Sequence, residues 1–479
     1  MKGNLQSQLK RTRMCCEELL IRCKTLLISS TNINPDISQL ILEFKNACDE
    51  ISHVVISEEN ISIPRSKFPL CDFNFKKRGD KTKKIDSGGF GGIIQSERGG
   101  SGGEVIASKV LSPELNIGMF LMETFVSTTV AASNNEYLLP SLGIKLMPSK
   151  NAYITMPLGV CNLSELINFT SPNKYLRKLK SKSHIQNDVK VEWSGRIINA
   201  VRSLHENNIV HGDLKLSNVV MTSKSPKHTL ILREYFECVG RVKRISNDVN
   251  VEIIDCVCRL TSLISQKFLT PRLGDFGLST PSVSNRLHSA FTLNFRAPEE
   301  WNYEKNKILT DRRASDLWSL GLVIYAIFYE SNLFSINIYA FSKLSFDGKI
   351  SEIKKICTKV SGSGGDIIHD DCVGAAINGG VGPPPLRGEI ANFNFDKTEW
   401  SKISLNVRQL IVNLIQFNPE RRLSLTGCLE KLNMDVPKLS KISLSERCDD
   451  EISKVVLRGD KFTLSYNEMK QLFIQNRAW

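Results

Sequence analysis

No stretch of this 479-residue sequence stays apolar for the roughly 20 residues that a bilayer crossing needs. The nearest approach, Leu317–Tyr329, is too short and contains Trp318, Ser319 and Gly321. Met1–Arg13 contains no apolar segment of the kind that a secretory leader carries, so the expectation is a soluble, intracellular chain with no membrane partner. A disulfide framework is disfavoured too, because the 13 cysteines are odd in number and scattered, which fits thiols in a reducing compartment. The lone Cys-x-Cys at Cys256 and Cys258 has neither a second pair nor a histidine beside it, and reads as packing rather than as a zinc site. No Gly-x-x-x-x-Gly-Lys-Ser/Thr occurs, which excludes the P-loop nucleotide hydrolases.

What is present is an ordinary globular composition: 41% hydrophobic residues, with 63 Lys and Arg against 50 Asp and Glu for a net charge of +13. At roughly 100–200 residues per domain the length allows two to four domains, or one two-lobed domain with appendages. The positive charge favours acidic partners but says nothing about the fold.

Residues 1–60 read as helical. Asn34-Pro35-Asp36 is a helix-start signal, and Ile37, Leu40, Ile41, Phe44, Cys48 and Ile51 follow at three-to-four spacing. A basic run over 76–84 is next, either a solvated loop or a patch for nuclear import or nucleic acid. From about residue 85, short apolar runs alternate with glycine clusters at 88–92 and 99–103, a spacing that predicts three successive strands. After about 160 the texture is helical, with Val191–Glu206 and Ser315–Tyr329 the strongest candidates. Two segments interrupt it, the basic, mixed 222–270 and the Gly-rich 360–386, and both read as insertions or long surface loops.

The chemistry concentrates in Ile209–Val220. Transferring a phosphoryl group to a hydroxyl requires a carboxylate to orient the hydroxyl, a cation to offset charge, and an amide to ligate a metal. Asp213, Lys215 and Asn218 have those chemistries at loop spacing. Downstream, Asp275 stands between a short apolar run and Gly277, where a carboxylate can chelate a divalent cation. Upstream, Lys109 lies on the strand after the glycine-rich turn, whose Gly88, Gly89 and Gly91 permit close backbone approach to phosphates.

In this order and spacing the chain resembles the eukaryotic-type protein kinases over most of residues 80–430. Ala107-Ser108-Lys109 is similar to the phosphate-anchoring strand, His211-x-Asp213 with Lys215 and Asn218 to the catalytic loop, and Asp275-Phe276-Gly277 to the metal-binding triplet. Ala297-Pro298-Glu299 resembles the end of the activation segment, Asp316–Gly321 the start of the central helix, and Arg422 the partner of Glu299. The resemblance implies an α+β, bilobal fold with a small β-rich N-lobe holding one helix and a larger, mainly helical C-lobe. It also implies a helical extension over 1–70, a kinase domain over 71–435 with its lobes meeting near 157/158, and a tail over 436–479.

Of the glutamates that could pair with Lys109, Glu114 follows the strand too closely and Glu136 lies in a polar turn, whereas Glu123 shares a helical face with Met119, Val126 and Val130. The implied nucleotide-binding set is Ile85, Gly88, Gly89, Phe90, Gly91, Ile93, Ala107, Lys109, Glu123 and Met156, the last as gatekeeper on the strand running into the hinge. Asp213, Lys215 and Thr292 are the implied catalytic residues. Asn218 and Asp275 would hold Mg²⁺ (or Mn²⁺), with ATP as donor and a protein Ser or Thr as acceptor. A catalytically inactive relative that only binds partners is the alternative expectation.

Three departures from the pattern matter. Asp86 stands where the first loop glycine is expected, a carboxylate near phosphates. Gly212 replaces an arginine that commonly clamps a phosphorylated activation loop, so activity is expected not to depend on phosphorylation at Thr280, Ser282, Ser284 or Ser289. Asn218 and Asp275 stand 57 positions apart where a short hairpin suffices. The lysines and arginines of 222–270 are thus either a solvated excursion or, with 76–84, a recruiting surface for an acidic partner. The expected location is cytoplasmic, nuclear or both.

Overall fold

The computed structural model describes residues 14–23, 41–46, 83–88, 91–98, 104–111, 135–146, 152–170, 184–246, 251–282, 292–300, 312–336, 391–393 and 397–439, with a few single positions such as Glu123. Asn34-Pro35-Asp36, Gly89, Phe90, Glu114, most of the 76–84 run, the 360–386 segment and the tail from 440 lie outside the described residues.

A five-stranded antiparallel sheet, ordered β1-β2-β3-β5-β4, forms the first lobe. Its strands are β1 (Lys83–Gly88), β2 (Gly91–Arg98), β3 (Glu104–Leu111), β4 (Gly143–Leu146) and β5 (Ala152–Pro157). Gly88 faces Gly91 across the first hairpin, so the connection is two residues long. A register shift between Lys84 and Asp86 leaves Ile85 at a bulge. The second glycine cluster separates β2 from β3, as the glycine spacing predicts.

The second lobe opens with α1 (Leu163–Thr170) and is built on α2 (Asn187–Glu206) and α5 (Arg313–Tyr329). Trp193, Ile197, Ile198, Val201 and Leu204 form the buried stripe of α2. α5 is apolar nearly all round and buried on almost every side, as a central helix must be. After the short α6 (Lys397–Ser401), Gly321 lets α7 (Leu405–Leu414) come close: a Cβ there would lie 2.8 Å from both the Leu414 Cβ and the Ile415 Cγ2. Short sheets carry the loops of the cleft. The strands β6 (Cys161–Asn162), β8 (Val219–Ser223) and β9 (Leu269–Leu273) form one, and β7 (Ile209–Val210) pairs with β10 (Thr280–Pro281).

The 222–270 segment is not a surface loop. β8 and β9 pair as a hairpin, Val219 opposite Leu273 through Ser223 opposite Leu269, and two helices leave from its ends: α3 (Thr229–Ser246) and α4 (Val251–Phe268). Leu232, Tyr235, Phe236, Val239 and Val242 of α3, with Ile253, Val257, Leu260 and Ile264 of α4, join the same contiguous core as the rest of the lobe. The basic residues interleaved with them hide a regular amphipathic period. Cys256 and Cys258 are buried in α4.

The described part of the N-terminal region docks on this helical pair. Cys16, Leu19, Cys23 and Phe44 are fully buried. Three ion pairs of both polarities join it to the insertion: Arg22 to Glu234 at 2.7 Å, Glu18 to Arg241 at 2.9 Å and Glu43 to Arg259 at 3.0 Å. Among the described residues no helix is long and apolar enough to cross a membrane.

Candidate active site

Lys109 projects from β3, a central strand of the first sheet, and is almost completely buried. Its ammonium lies 2.6 Å from Glu123 Oε2 and 2.6 Å from Asp275 Oδ1. Burial alone would lower the lysine's pKa, but the two carboxylates outweigh it and hold the group above its ordinary value. Asp275, whose side chain stays exposed on the cleft, shows the reciprocal effect: Lys109 keeps its carboxyl below the ordinary range. The Asp275 backbone is left-handed, φ 62° and ψ 70°, a conformation that aspartate tolerates better than most residues. It turns the chain sharply between β9 and the buried Phe276.

The loop that carries Asp213 is fixed from below. Asp316, at the start of α5, accepts hydrogen bonds from the main-chain N–H of His211 at 2.8 Å and of Gly212 at 3.0 Å, and from His205 Nε2 at 2.9 Å. Burial would raise the Asp316 pKa, but these donors, His205 foremost, hold it below the usual range. Gly212 has φ 76°, and a Cβ there would lie 2.7 Å from the Leu278 carbonyl oxygen, so glycine suits the position. His211 Nδ1 accepts from the N–H of Asp213 at 3.3 Å, which leaves Nε2 as the protonated nitrogen donating to the Gly274 carbonyl at 3.1 Å. Gly274 returns a bond from its own N–H to the Asn218 carbonyl at 2.9 Å. The loop carrying Asp213 and the turn carrying Asp275 are therefore stitched through one residue.

Above this base, three side chains close a triangle. Lys215 Nζ lies 2.5 Å from Asp213 Oδ2 and 3.0 Å from Thr292 Oγ1, while the Thr292 hydroxyl donates to Asp213 Oδ1 at 2.9 Å. Asn218 Nδ2 donates to the Asp213 carbonyl at 2.8 Å, which turns its amide oxygen into the group left for a cation. Behind the triangle, Arg422 grips Glu299 with two parallel bonds, 2.5 and 2.8 Å, and lies over the Trp318 ring at 5.4 Å. That clamp anchors the end of the segment bearing Thr292.

A cavity of about 730 Å³ opens beside these groups, lined by Ile93, Ala107, Met156, Leu158, Val220 and Phe236 among others. Its size suits a small-molecule site. Ala107 and Met156 are paired neighbours on β3 and β5.

Residues 261–433 match the protein kinase domain family. The chain carries a eukaryotic-type protein kinase domain. It is similar to MAP kinase-activated protein kinase 2 of Oryctolagus cuniculus, 24% identical over 229 residues, which are 47% of this chain and 40% of that protein. It is also similar to the serine/threonine-protein kinase mph1 of Schizosaccharomyces pombe, 25% identical over 243 residues, or 48% of this chain and 30% of the relative. A putative ribosomal protein S6 kinase alpha-2 of Caenorhabditis elegans aligns at 19% identity over 290 residues, 59% of this chain and 29% of the relative. The chain thus spans well under half the length of these curated relatives.

The structure brings together Lys109, Glu123 and Asp275, and separately Asp213, Lys215, Thr292 and Asn218. Glu136, weighed against Glu123, instead pairs with Arg196 at 3.0 Å. Ile93, Ala107 and Met156 line the cavity. Ile85, Gly88 and Gly91 take their expected places on the first hairpin, and only their backbone is described. Of the basic residues expected to face solvent on 222–270, Arg233 donates to the Gly159 carbonyl, Lys243 to the Asn168 carbonyl and Arg241 to Glu18, so these three are held by internal contacts. Asp316 and His205 escaped the sequence reading as supports of the loop. His205 lies 111 positions from its partner, and nothing local marks either side chain as a member of the pair.

Proposed function

We propose that this kinase domain transfers the γ-phosphoryl group of ATP to serine or threonine hydroxyls of protein substrates. The observation that carries the reading is the closed Asp213–Lys215–Thr292 triangle, tied to Asp275 through Gly274. Asp213 would orient the acceptor hydroxyl and receive its proton, and Lys215 would offset charge on the transferring group. Lys109, held above its ordinary pKa, stays cationic at neutral pH and would anchor the α- and β-phosphates. The cavity under Ala107 and Met156 would take the adenine.

The donor set fits Mg²⁺ or Mn²⁺. Asp275 offers a carboxylate with Oδ1 on Lys109, and Asn218 an amide whose nitrogen is spent on Asp213, so both would present hard oxygen ligands. When bound, the cation would neutralise charge on the phosphate oxygens. Serine/threonine preference is supported by Lys215 two residues after Asp213 together with Thr292, and by the printed name of the fission yeast relative.

The test is purified protein with Mg²⁺, labelled ATP and a generic protein acceptor, followed by phosphoamino-acid analysis. Label on Ser or Thr that vanishes in both Asp213→Asn and Lys109→Met supports the reading. No transfer, with no thermal stabilisation by ATP, would instead leave a non-catalytic binding module.

A further inference from the structure

We propose that the helix α3 inserted between β8 and β9 belongs to the nucleotide site, with Arg233 as the positioning residue that clamps the end of the hinge. This rests on the reading of the domain as an ATP-binding kinase. The half-buried Arg233 Nη1 donates to the Gly159 carbonyl at 2.7 Å and reaches the Val160 carbonyl at 3.4 Å. On the other side of the same peptide unit, the Val160 N–H donates to the Met221 carbonyl at 2.8 Å. The Gly159–Val160 peptide plane is therefore held from both edges.

Its first residue has to be glycine, because a Cβ at 159 would lie 2.3 Å from Val220 Cγ1. Glycine left to itself has the widest backbone freedom of any residue. The cavity-lining run Met156–Leu158 is anchored at one end by the pairing of Pro157 with Ile106 on β3, and at the other by this clamp. Without Arg233, the second anchor keeps only the Met221 bond. The clamp belongs to the cavity, because Arg233, Phe236, Glu237, Gly240, Arg241 and Arg244, at helical spacing on α3, all line it. Desolvation pulls the Arg233 pKa down while Glu237 counters it, in keeping with a guanidinium half-buried against these carbonyls.

The experiment compares wild type, Arg233→Ala, Arg233→Lys and, as a control on the same insertion, the exposed Lys224→Ala. Mg-ATP and adenosine affinities are measured by titration, and KM and kcat by transfer assay. Losing a hydrogen bond from a charged group predicts an ATP dissociation constant and KM raised about tenfold in Arg233→Ala, with kcat at saturation within about twofold. Adenosine affinity falls by the same factor, because the clamp acts at the nucleoside end. Arg233→Lys, which keeps the charge on a single ammonium, is expected to weaken binding several-fold, and carries the comparison if the alanine variant does not fold. Lys224→Ala matches wild type. Wild-type affinity in a folded Arg233 variant, or a loss confined to kcat, overturns the assignment alone. A wild type that binds no nucleotide overturns the kinase reading and this assignment with it.

Discussion

Replacing Asp316 with alanine is expected to loosen the loop that carries Asp213 more than any single change at the triangle itself. The carboxylate is buried and accepts from two main-chain N–H groups at 2.8 and 3.0 Å and from His205 at 2.9 Å. A buried donor deprived of its acceptor costs about 1–3 kcal/mol, so the two main-chain groups together predict a loss of about 2–6 kcal/mol. Whole domains are stable by only about 5–15 kcal/mol, which places Asp316→Ala near the threshold of folding. Asp316→Asn keeps one acceptor oxygen but turns an NH₂ toward a donor, and is expected to lose about 1–3 kcal/mol. Guanidinium unfolding followed by the fluorescence of buried Trp193, Trp318 and Trp400 reports on the lobe concerned.

The pH dependence separates this account from simple loss of packing. Because His205 and the main-chain donors hold the Asp316 pKa below its unfolded value despite burial, the stabilisation is fully present above about pH 4 and is lost as the pH falls through the folded pKa. The gap between wild type and Asp316→Asn should stay constant from pH 7 to about pH 5 and narrow only below about pH 4. A loss under about 1 kcal/mol in Asp316→Ala, or a gap that already fades near pH 6, would refute the reasoning.

Lys109→Met leaves Glu123 and Asp275 without their shared cation and should cost about 3–5 kcal/mol; adding Glu123→Gln should return part of it, read as a positive coupling in a double-mutant cycle. Ser282→Ala, Ser284→Ala and Ser289→Ala together should leave kcat within about twofold, since Gly212 supplies no cation for a phosphate there; a large loss rescued by acidic substitutes would contradict this. Thr280 is a poor modification site, being buried with its hydroxyl bonded by Arg312. Glu300 is pushed up to about 7 chiefly by burial, against the pull of Arg312. Its folded form therefore holds a proton that the unfolded chain releases near pH 4.5, and stability should fall by about 1–3 kcal/mol between about pH 5 and 7. Unfolding of Glu300→Gln across that range should lack the decline.

The grouping of the residues proposed to be catalytic was legible because each motif is local. Asp213, Lys215 and Asn218 lie within six residues of one another, and the chemistry they share needs no distant partner to be recognised. Glu123 was readable for a different reason: helical phase placed it on an apolar face, and the ion pair with Lys109 follows from that placement. The Glu299–Arg422 clamp spans 123 positions and became readable only through resemblance, since neither residue announces the other.

What stayed hidden was decided by tertiary contact. The 222–270 segment looked solvated because its arginines and lysines alternate with the apolar residues, yet Leu232, Tyr235, Phe236, Val239 and Val242 already hold the i, i+3, i+4 period of a buried helix. A long basic side chain can lie along an apolar surface and spend its charge on a carbonyl, so charge density alone does not mark a solvent face. Arg233 and Lys243 do this against Gly159 and Asn168, each about 75 positions away in sequence. The periodicity of the apolar residues survives such interleaving while the mean polarity of the window does not. In an insertion beside a cleft, helical phase is therefore the stronger guide, and its basic residues are better read as candidate contacts to the cleft than as a free surface.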